Sequence, residues 1–436
     1  MATAVTPLVS PRRAQTPRPD GTMARVTRPP PAERRAPDVV DVLPSGGLTE
    51  AVRARPNTRV LGLLALGHLV VDMNQGAIPP LLPFLKAAFG LSYASSGVIL
   101  LVASMTSSVI QPVFGYLADR APRRWLLPWA VFLSATGVAL AGLASVYWGL
   151  LALVVVSGLG VAAYHPEGYR TANQVAGDRK ATGLSLFSIG GNIGIALGPP
   201  AVTFLVPRFG LPGTLGLLGP GVVVAALIAM VLPGLVAAPV QGARSGVTRE
   251  GGRDMRGAMA LLIGVVTVRA WTQYGLVTFV PFLYVDLLGK DPRVVGPLLF
   301  MFLGAGALGT LTGGPLADRW GPRRYIVASF LLSIPLIAVF LWRPGGWVAM
   351  VVLATAGFVL VSSFSVTVAL GQAYLPRHLG MAAGLIVGLA IGTGGLGVTL
   401  LGWVADHWGL QAALHLVAVL PAVGLVAALC LPEPRA

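Results

Sequence analysis

The chain has 436 residues, 55% of them hydrophobic and only 11% charged, with a mean hydropathy of +0.77. That balance excludes a soluble domain of this size, whose surface would need far more charge, and points to a membrane as the solvent. The formal net charge of +15 invites a nucleic-acid partner, but the basic residues fall in short loops between apolar runs, where they orient a protein against lipid instead.

Residues 1–58 form a polar stretch rich in Pro, Ala and Arg, without the apolar core of a signal peptide. Such a composition buries too little surface to fold, so the expectation is a disordered tail. A regulatory or lipid-headgroup role is the alternative. Apolar runs then follow at about 59–86, 92–118, 124–143, 147–172, 180–206 and 212–236. After a polar stretch within 237–256, six more run at about 257–287, 294–317, 323–342, 346–373, 379–404 and 409–432. Each run approaches or exceeds the ~20 residues that cross a hydrocarbon core of ~30 Å. The expected organisation is therefore a tail (1–58), a first six-helix half (59–236), a central loop (237–256) and a second six-helix half (257–436), all α.

The connecting loops on the tail's side hold 14 Lys and Arg residues against five on the other side. That bias puts both termini in the cytoplasm of a cell-membrane protein, and an even number of spans agrees. The single Cys430 supports neither a disulfide framework nor a thiol metal site.

The two halves repeat each other. Gly115-Tyr-Leu-Ala-Asp-Arg-Ala-Pro-Arg-Arg124 recurs as Gly314-Pro-Leu-Ala-Asp-Arg-Trp-Gly-Pro-Arg-Arg324, and Pro83-Phe-Leu85 recurs as Pro281-Phe-Leu283. Arg208-Phe-Gly-Leu211 is echoed by His407-Trp-Gly-Leu410. All three matches share an offset of about 199 residues, so the copies have the same orientation, as in transporters whose parallel halves rock about a midplane site.

The loop G-x-L-A-D-R-x-x-R-R after the second span resembles the signature loop of the major facilitator superfamily, and it stands in both halves. Asp119, Arg120, Arg123 and Arg124, with Asp318, Arg319, Arg323 and Arg324, are thus candidates for a conformational latch, an Asp meeting a helix end or an Arg across the half-to-half interface. Topology-setting charge alone is the alternative. Within the superfamily, the first half resembles the fosmidomycin-resistance type of exporter through Gly67-His-Leu-Val-Val-Asp-Met73, Tyr164-His-Pro-Glu167 and Ser185-Leu-Phe-Ser-Ile-Gly-Gly-Asn-Ile-Gly194. The fifth span partly resembles the Gly-x-x-x-Gly-Pro signature of drug/proton antiporters through Gly194, Gly198 and Pro199, but Val202 and Thr203 replace its trailing glycines. Val154 stands where those antiporters carry an intramembrane Arg, so a mechanism built on that Arg does not transfer.

Ionisable groups at mid-bilayer cost at least ~2.5–3.5 kcal/mol each and are functional candidates by default. Asp72 and Arg269 lie at similar depth in the first and seventh spans and are near equivalents under the repeat. Asp72 could carry a coupling proton, and Arg269 could bind an anionic group, or the two could neutralise each other. His68, one turn before Asp72, could share its proton. Asn74, Gln75, Gln273 and Tyr274 are candidate cavity liners. His165, Glu167 and Arg170 read as a gate or an interfacial ion pair near the cytoplasmic face, with Pro166 breaking the helix there. The ladders Gly190/Gly194/Gly198 and Gly384/Gly388/Gly392 read as helix-packing devices.

No nucleotide loop, metal-ligand spacing or nucleophile–base pair is evident, so neither a cofactor nor an enzymatic activity is expected. The resemblance implies a proton-coupled exporter of a small toxic compound, with a monomer favoured. An importer of an anionic metabolite, such as a sugar phosphate or organic acid, and a transport-inactive sensor or scaffold are the rivals.

Overall fold

The computed structural model describes residues 56–120, 125–177, 180–235, 254–378, 381–382, 384–390 and 392–433. The expected tail up to residue 55 and most of the central loop lie outside these residues. The first half comprises α1 (Thr58–Phe89), α2 (Tyr93–Ser104), α3 (Gln111–Arg120), α4 (Leu126–Ala141), α5 (Tyr147–Val175), α6 (Lys180–Phe209) and α7 (Leu218–Leu235). The second comprises α8 (Arg256–Phe282), α9 (Val295–Trp320), α10 (Pro322–Trp342), α11 (Gly346–Tyr374), α12 (Gly394–Trp408) and α13 (Leu410–Leu429). No strand occurs among the described residues. Eleven helical stretches are long and apolar enough to cross a membrane, with α2 and α3 forming one of them. The twelfth, α4, is a shorter apolar helix of 16 residues, about 24 Å long by helical rise.

Local chemistry sets the ends. Asn57 caps α1 by accepting from the Val60 N–H at 3.2 Å, and Gly90 closes it in the left-handed region at φ 62°. Pro166 does not break α5, contrary to the sequence expectation: the helix runs unbroken from Tyr147 to Val175. In lipid an unwound backbone has no water to bond, so a helix persists through a proline that would end it in solution.

One end of the bundle, here the near end, is where α1 begins. The Asn57 N–H donates to the last carbonyl of α5, at Val175. In the second half, the Met255 N–H donates to Tyr374 O before α8, and the Tyr374 hydroxyl donates to Pro432 O after α13. Packing then differs between the two ends. One buried apolar cluster mixes both halves, from Leu82 and Ile99 to Phe279, Phe302 and Leu414. Two others stay within one half each, around Leu61, Val131 and Phe187, and around Leu262, Phe330 and Tyr374. The shared cluster lies toward the far end and the separate ones toward the near end.

The seam between α2 and α12 shows the same splay residue by residue. Toward the far end, a Cβ added at Gly402 would lie 2.6 Å from Tyr93 O, and one added at Gly395 would lie 2.5 Å from Leu101 Cα. Moving toward the near end, a Cβ at Gly392 would be 3.3 Å from Ser108 Cβ and one at Gly388 3.8 Å from Ser108 O, while at Gly384 nothing lies within 4 Å. Among the described residues of this seam, the halves therefore touch toward the far end and part toward the near end. Both helices of this seam carry a π turn, at Met105–Val109 and Gly384–Ala390, a feature that commonly marks hinges and functional positions.

Candidate functional site

The first half's contribution to the central site rests on the tight pairing of α1 and α6. Cβ atoms placed at Gly190, Gly194 and Gly198 would collide with the α1 backbone at Ala65, Leu69 and Gly76 to Ala77. Small residues let the two backbones approach this closely. Pro199 follows inside α6.

This approach seats three polar side chains together. Asp72 on α1 lies 3.3 Å (Oδ2) from His68 Nε2 and 3.3 Å (Oδ1) from His165 Nε2 of α5. The two Nε2 atoms are 3.2 Å apart. Each ring's other nitrogen faces a backbone carbonyl, His68 Nδ1 at 3.0 Å from Phe187 O and His165 Nδ1 at 2.9 Å from Val161 O. Carbonyls only accept, so these contacts assign the hydrogens to both Nδ1 atoms. Phe187 stacks on His68 with ring centroids 4.3 Å apart. Gly191 leaves the space beside the cluster, since a Cβ there would lie 2.5 Å from His68 Nε2 and 2.6 Å from Asp72 Oδ2.

With both Nδ1 atoms committed, the three inward atoms have no hydrogen to share unless the cluster takes up a proton. One added proton would give one of these three contacts a donor and balance the single carboxylate. The three ligand atoms lie within 4.8 Å of one another, a set able to hold a metal ion. One carboxylate, however, leaves a divalent ion with net positive charge inside a bilayer.

The second half supplies the opposite charge, alone. Arg269 on α8 is 2% exposed. Its Nη1 donates to Gln273 Oε1 at 3.2 Å, its Nε has no hydrogen-bond partner, and its Cζ lies 5.8 Å from the Phe364 ring centre. Among the described residues it forms no ion pair, and Asp72 pairs with the two histidines instead, so the two do not neutralise each other. Trp271 and Tyr274, also on α8, lie against Gly397 and Gly394 of α12. Asn74 is buried, donates to Val70 O at 2.8 Å and leaves its Oδ1 unpartnered. Gln75 and Gln273 are half-buried. A buried guanidinium with donors to spare suits an anionic group.

The sequence profile of the Major Facilitator Superfamily matches residues 64–385 and, overlapping them, 262–436. This chain belongs to the Major Facilitator Superfamily. It is similar to the fosmidomycin resistance protein of Escherichia coli, at 30% identity over 405 residues, covering 90% of this chain and 97% of that protein. It is also 34% identical over 396 residues to the MFS-type transporter YfnC of Bacillus subtilis, covering 87% of this chain and 95% of that one. The fold resembles the crystal structure of a bacterial homologue of the human lysosomal transporter Spinster, with a TM-score of 0.67 at 18% identity, over 86% of this chain and 94% of that one. The protein is thus a multi-pass secondary transporter and not an enzyme.

The superfamily loops lie at the near end. Arg123 and Arg124 are outside the described residues, and for Asp119 and Arg120 only the backbone is described. In the second copy, Asp318, Arg319 and Arg324 are exposed. Arg323 donates from Nη2 to the Leu429 carbonyl at the end of α13, a favourable place for a cation at a helix C-terminus. That contact stays within its own half rather than crossing the interface. His165, expected beside the gate, lies instead on Asp72, while Glu167 is buried and Arg170 half-buried further along α5, and both are partnered.

A second polar network, at the far end, escaped the sequence reading. Lys86 Nζ at the end of α1 is 3.1 Å from Asp286 Oδ2 after α8, and the Tyr93 hydroxyl donates to the same oxygen at 3.0 Å. Lys86 also sits 4.5 Å over the Tyr93 ring. Asp406 on α12 accepts from the Tyr93 and Ala94 backbone N–H groups at 2.7 and 2.9 Å. A signal did exist. Lys86 follows the Pro83-Phe-Leu85 repeat and Asp286 lies three residues beyond its second copy, so equivalent span ends carry opposite charges.

Proposed function

We propose that this protein exports a small, anionic or amphiphilic toxic compound in exchange for protons, by alternating access. The observation that carries the reading is the division of charge between the halves: the second buries Arg269 with no ion pair among the described residues, and the first holds a carboxylate between two imidazoles. Arg269 anchors the substrate's anionic group, and Gln273, Tyr274, Asn74 and Gln75 line the cavity around it. Asp72 holds the coupling proton, with His68 and His165 as its partners. Similarity along nearly the whole chain to a fosmidomycin resistance protein supports export as the direction.

The loop charge bias supports a cell-membrane protein with the near end and both termini in the cytoplasm. The open cleft is then the face from which a cytoplasmic substrate enters. Rocking of the halves closes the near end through the Asp119 and Asp318 loops and opens the far one, where a proton displaces the substrate.

Everted membrane vesicles test the reading directly, with a panel of toxic anions, fosmidomycin included. Uptake driven by an acidic vesicle interior is expected. Uptake indifferent to the proton gradient would remove the antiport claim, accumulation only in right-side-out vesicles would favour the metabolite importer, and no flux for any compound would favour the scaffold.

A further inference from the structure

The hydrogen bonds and the ion pair of the far-end network each join one half of the molecule to the other. Lys86 and Tyr93 come from α1 and α2, Asp286 and Asp406 from the C-terminal side of α8 and from α12. The Asp406 contact has a particular physical content. The first N–H groups of any helix lack intrahelical acceptors and carry the positive end of the helix dipole. At α2, the Ser92 side chain accepts from the Ser95 N–H at 3.1 Å and its carbonyl from the Ser96 N–H at 3.0 Å, neither reaching the first two donors. Those donors, on Tyr93 and Ala94, are satisfied by a carboxylate of the opposite half, so the first-half helix is capped by the second half.

Gly402 makes this capping possible, because any side chain there would strike the Tyr93 and Ala94 backbone. The Lys86–Asp286 pair is about a quarter exposed on each side, so water can replace the lost contacts when the halves separate. A network this wet holds the mouth closed without locking it.

We infer that Lys86, Tyr93, Asp286 and Asp406 are the gate of the far mouth: their cross-half contacts hold it shut while the near end is open, and they must all part for the opposite state to form. The gate is independent of what the cavity carries. Naming the far mouth the outer one rests on the proposed orientation.

The test is thiol accessibility in the full-length protein with Cys430→Ser and a reporter, Val398→Cys. Val398 is fully buried where α12 meets α2, eight residues before Asp406. Labelling by a membrane-impermeant maleimide is measured in intact cells and in everted vesicles. Asp286→Asn and Asp406→Asn are each expected to raise the labelling rate in intact cells at least about fivefold, the effect of losing a modest ion pair or cap. The exchanged pair Lys86→Asp with Asp286→Lys should return the rate to within about twofold of the parent. Asp291→Asn is the control, because its carboxylate caps only its own turn, at Arg293 N; it should leave labelling unchanged.

No increase for either Asp variant, from either side, overturns the gate. An increase seen only in everted vesicles keeps the gate and overturns the orientation. An equal rise with Asp291→Asn would mean general loosening of that end and would also overturn it. Unfolded variants are recognised by full labelling from both sides.

Discussion

The two halves of the central site come from one repeated unit, yet they treat charge in opposite ways. Asp72 is surrounded: two imidazoles at 3.3 Å, a stacked Phe187 and the open space at Gly191. Arg269, its near equivalent, bonds to Gln273 and lies by the face of Phe364, with Nε lacking a hydrogen-bond partner among the described residues. Under the proposed function the first half is the one that takes up a proton, while a guanidinium keeps its charge at every physiological pH. On that reading the repeat holds one switchable and one fixed charge.

The largest effect expected follows from removing the switch. Asp72→Asn should abolish gradient-driven transport while leaving exchange of labelled for unlabelled substrate across the membrane, because exchange needs alternation but no net proton movement. Both assays on the same proteoliposomes decide it. Loss of exchange together with driven flux would make Asp72 a structural or substrate-binding group instead.

Next comes the fixed charge. Arg269→Gln removes charge-assisted hydrogen bonds worth about 1.5–3 kcal/mol each, so substrate affinity should fall about 10- to 100-fold. Its effect on stability should be small or favourable. No carboxylate loses a partner, and an unpaired buried charge is itself destabilising. Melting curves alongside binding measurements separate this from a structural ion pair, whose loss would lower Tm by several degrees.

A smaller effect should come from the glycine packed against His68 and Asp72. Gly191→Ala puts a methyl group against His68 Nε2 and Asp72 Oδ2, and crowding of that kind costs about 1–3 kcal/mol, so turnover should drop about tenfold or more with little change in substrate affinity. An unaltered turnover would mean that the space beside the cluster is not used.

Much of this architecture is legible from the chain. Span length and the repeat place most of the helical stretches, because lipid forces backbone hydrogen bonding inside each helix and leaves little freedom, although α12 begins at Gly394, well inside the expected run 379–404. Depth counted by helical rise also singles out Asp72 and Arg269 as ionisable groups near mid-span. The same counting puts His165 near the cytoplasmic face, because it starts from Tyr147 at the far end and takes the other end of the span as the membrane surface. The helices run on beyond it: His68 and His165 are each ten residues from the near ends of their helices, Thr58 and Val175, and so meet at one level. The far-end network is harder still. Tyr93 and Asp406 are 313 residues apart, and no local pattern says that two polar span ends will face each other. The splay of the α2–α12 seam is a property of the conformational state, and a sequence common to all states does not encode which one is seen.

His165 offers the finest test of the comparison, because two roles for it give different results. It is the most exposed member of its cluster, at 17% against 13% for Asp72 and 4% for His68. Its contribution is one hydrogen bond to a charged group, and with a Gln substitute part of that bond can be rebuilt. His165→Gln should therefore slow gradient-driven transport by only about three- to tenfold, the scale of about 1 kcal/mol. As a proton partner of Asp72, it should leave substrate exchange intact and bring no further loss when combined with Asp72→Asn, since contacting residues are non-additive. As part of a near-end latch, it should slow exchange as much as driven transport, and its effect should persist in the Asp72→Asn background. Equal slowing of both fluxes would return His165 to the gate and leave Asp72 and His68 as the switching pair.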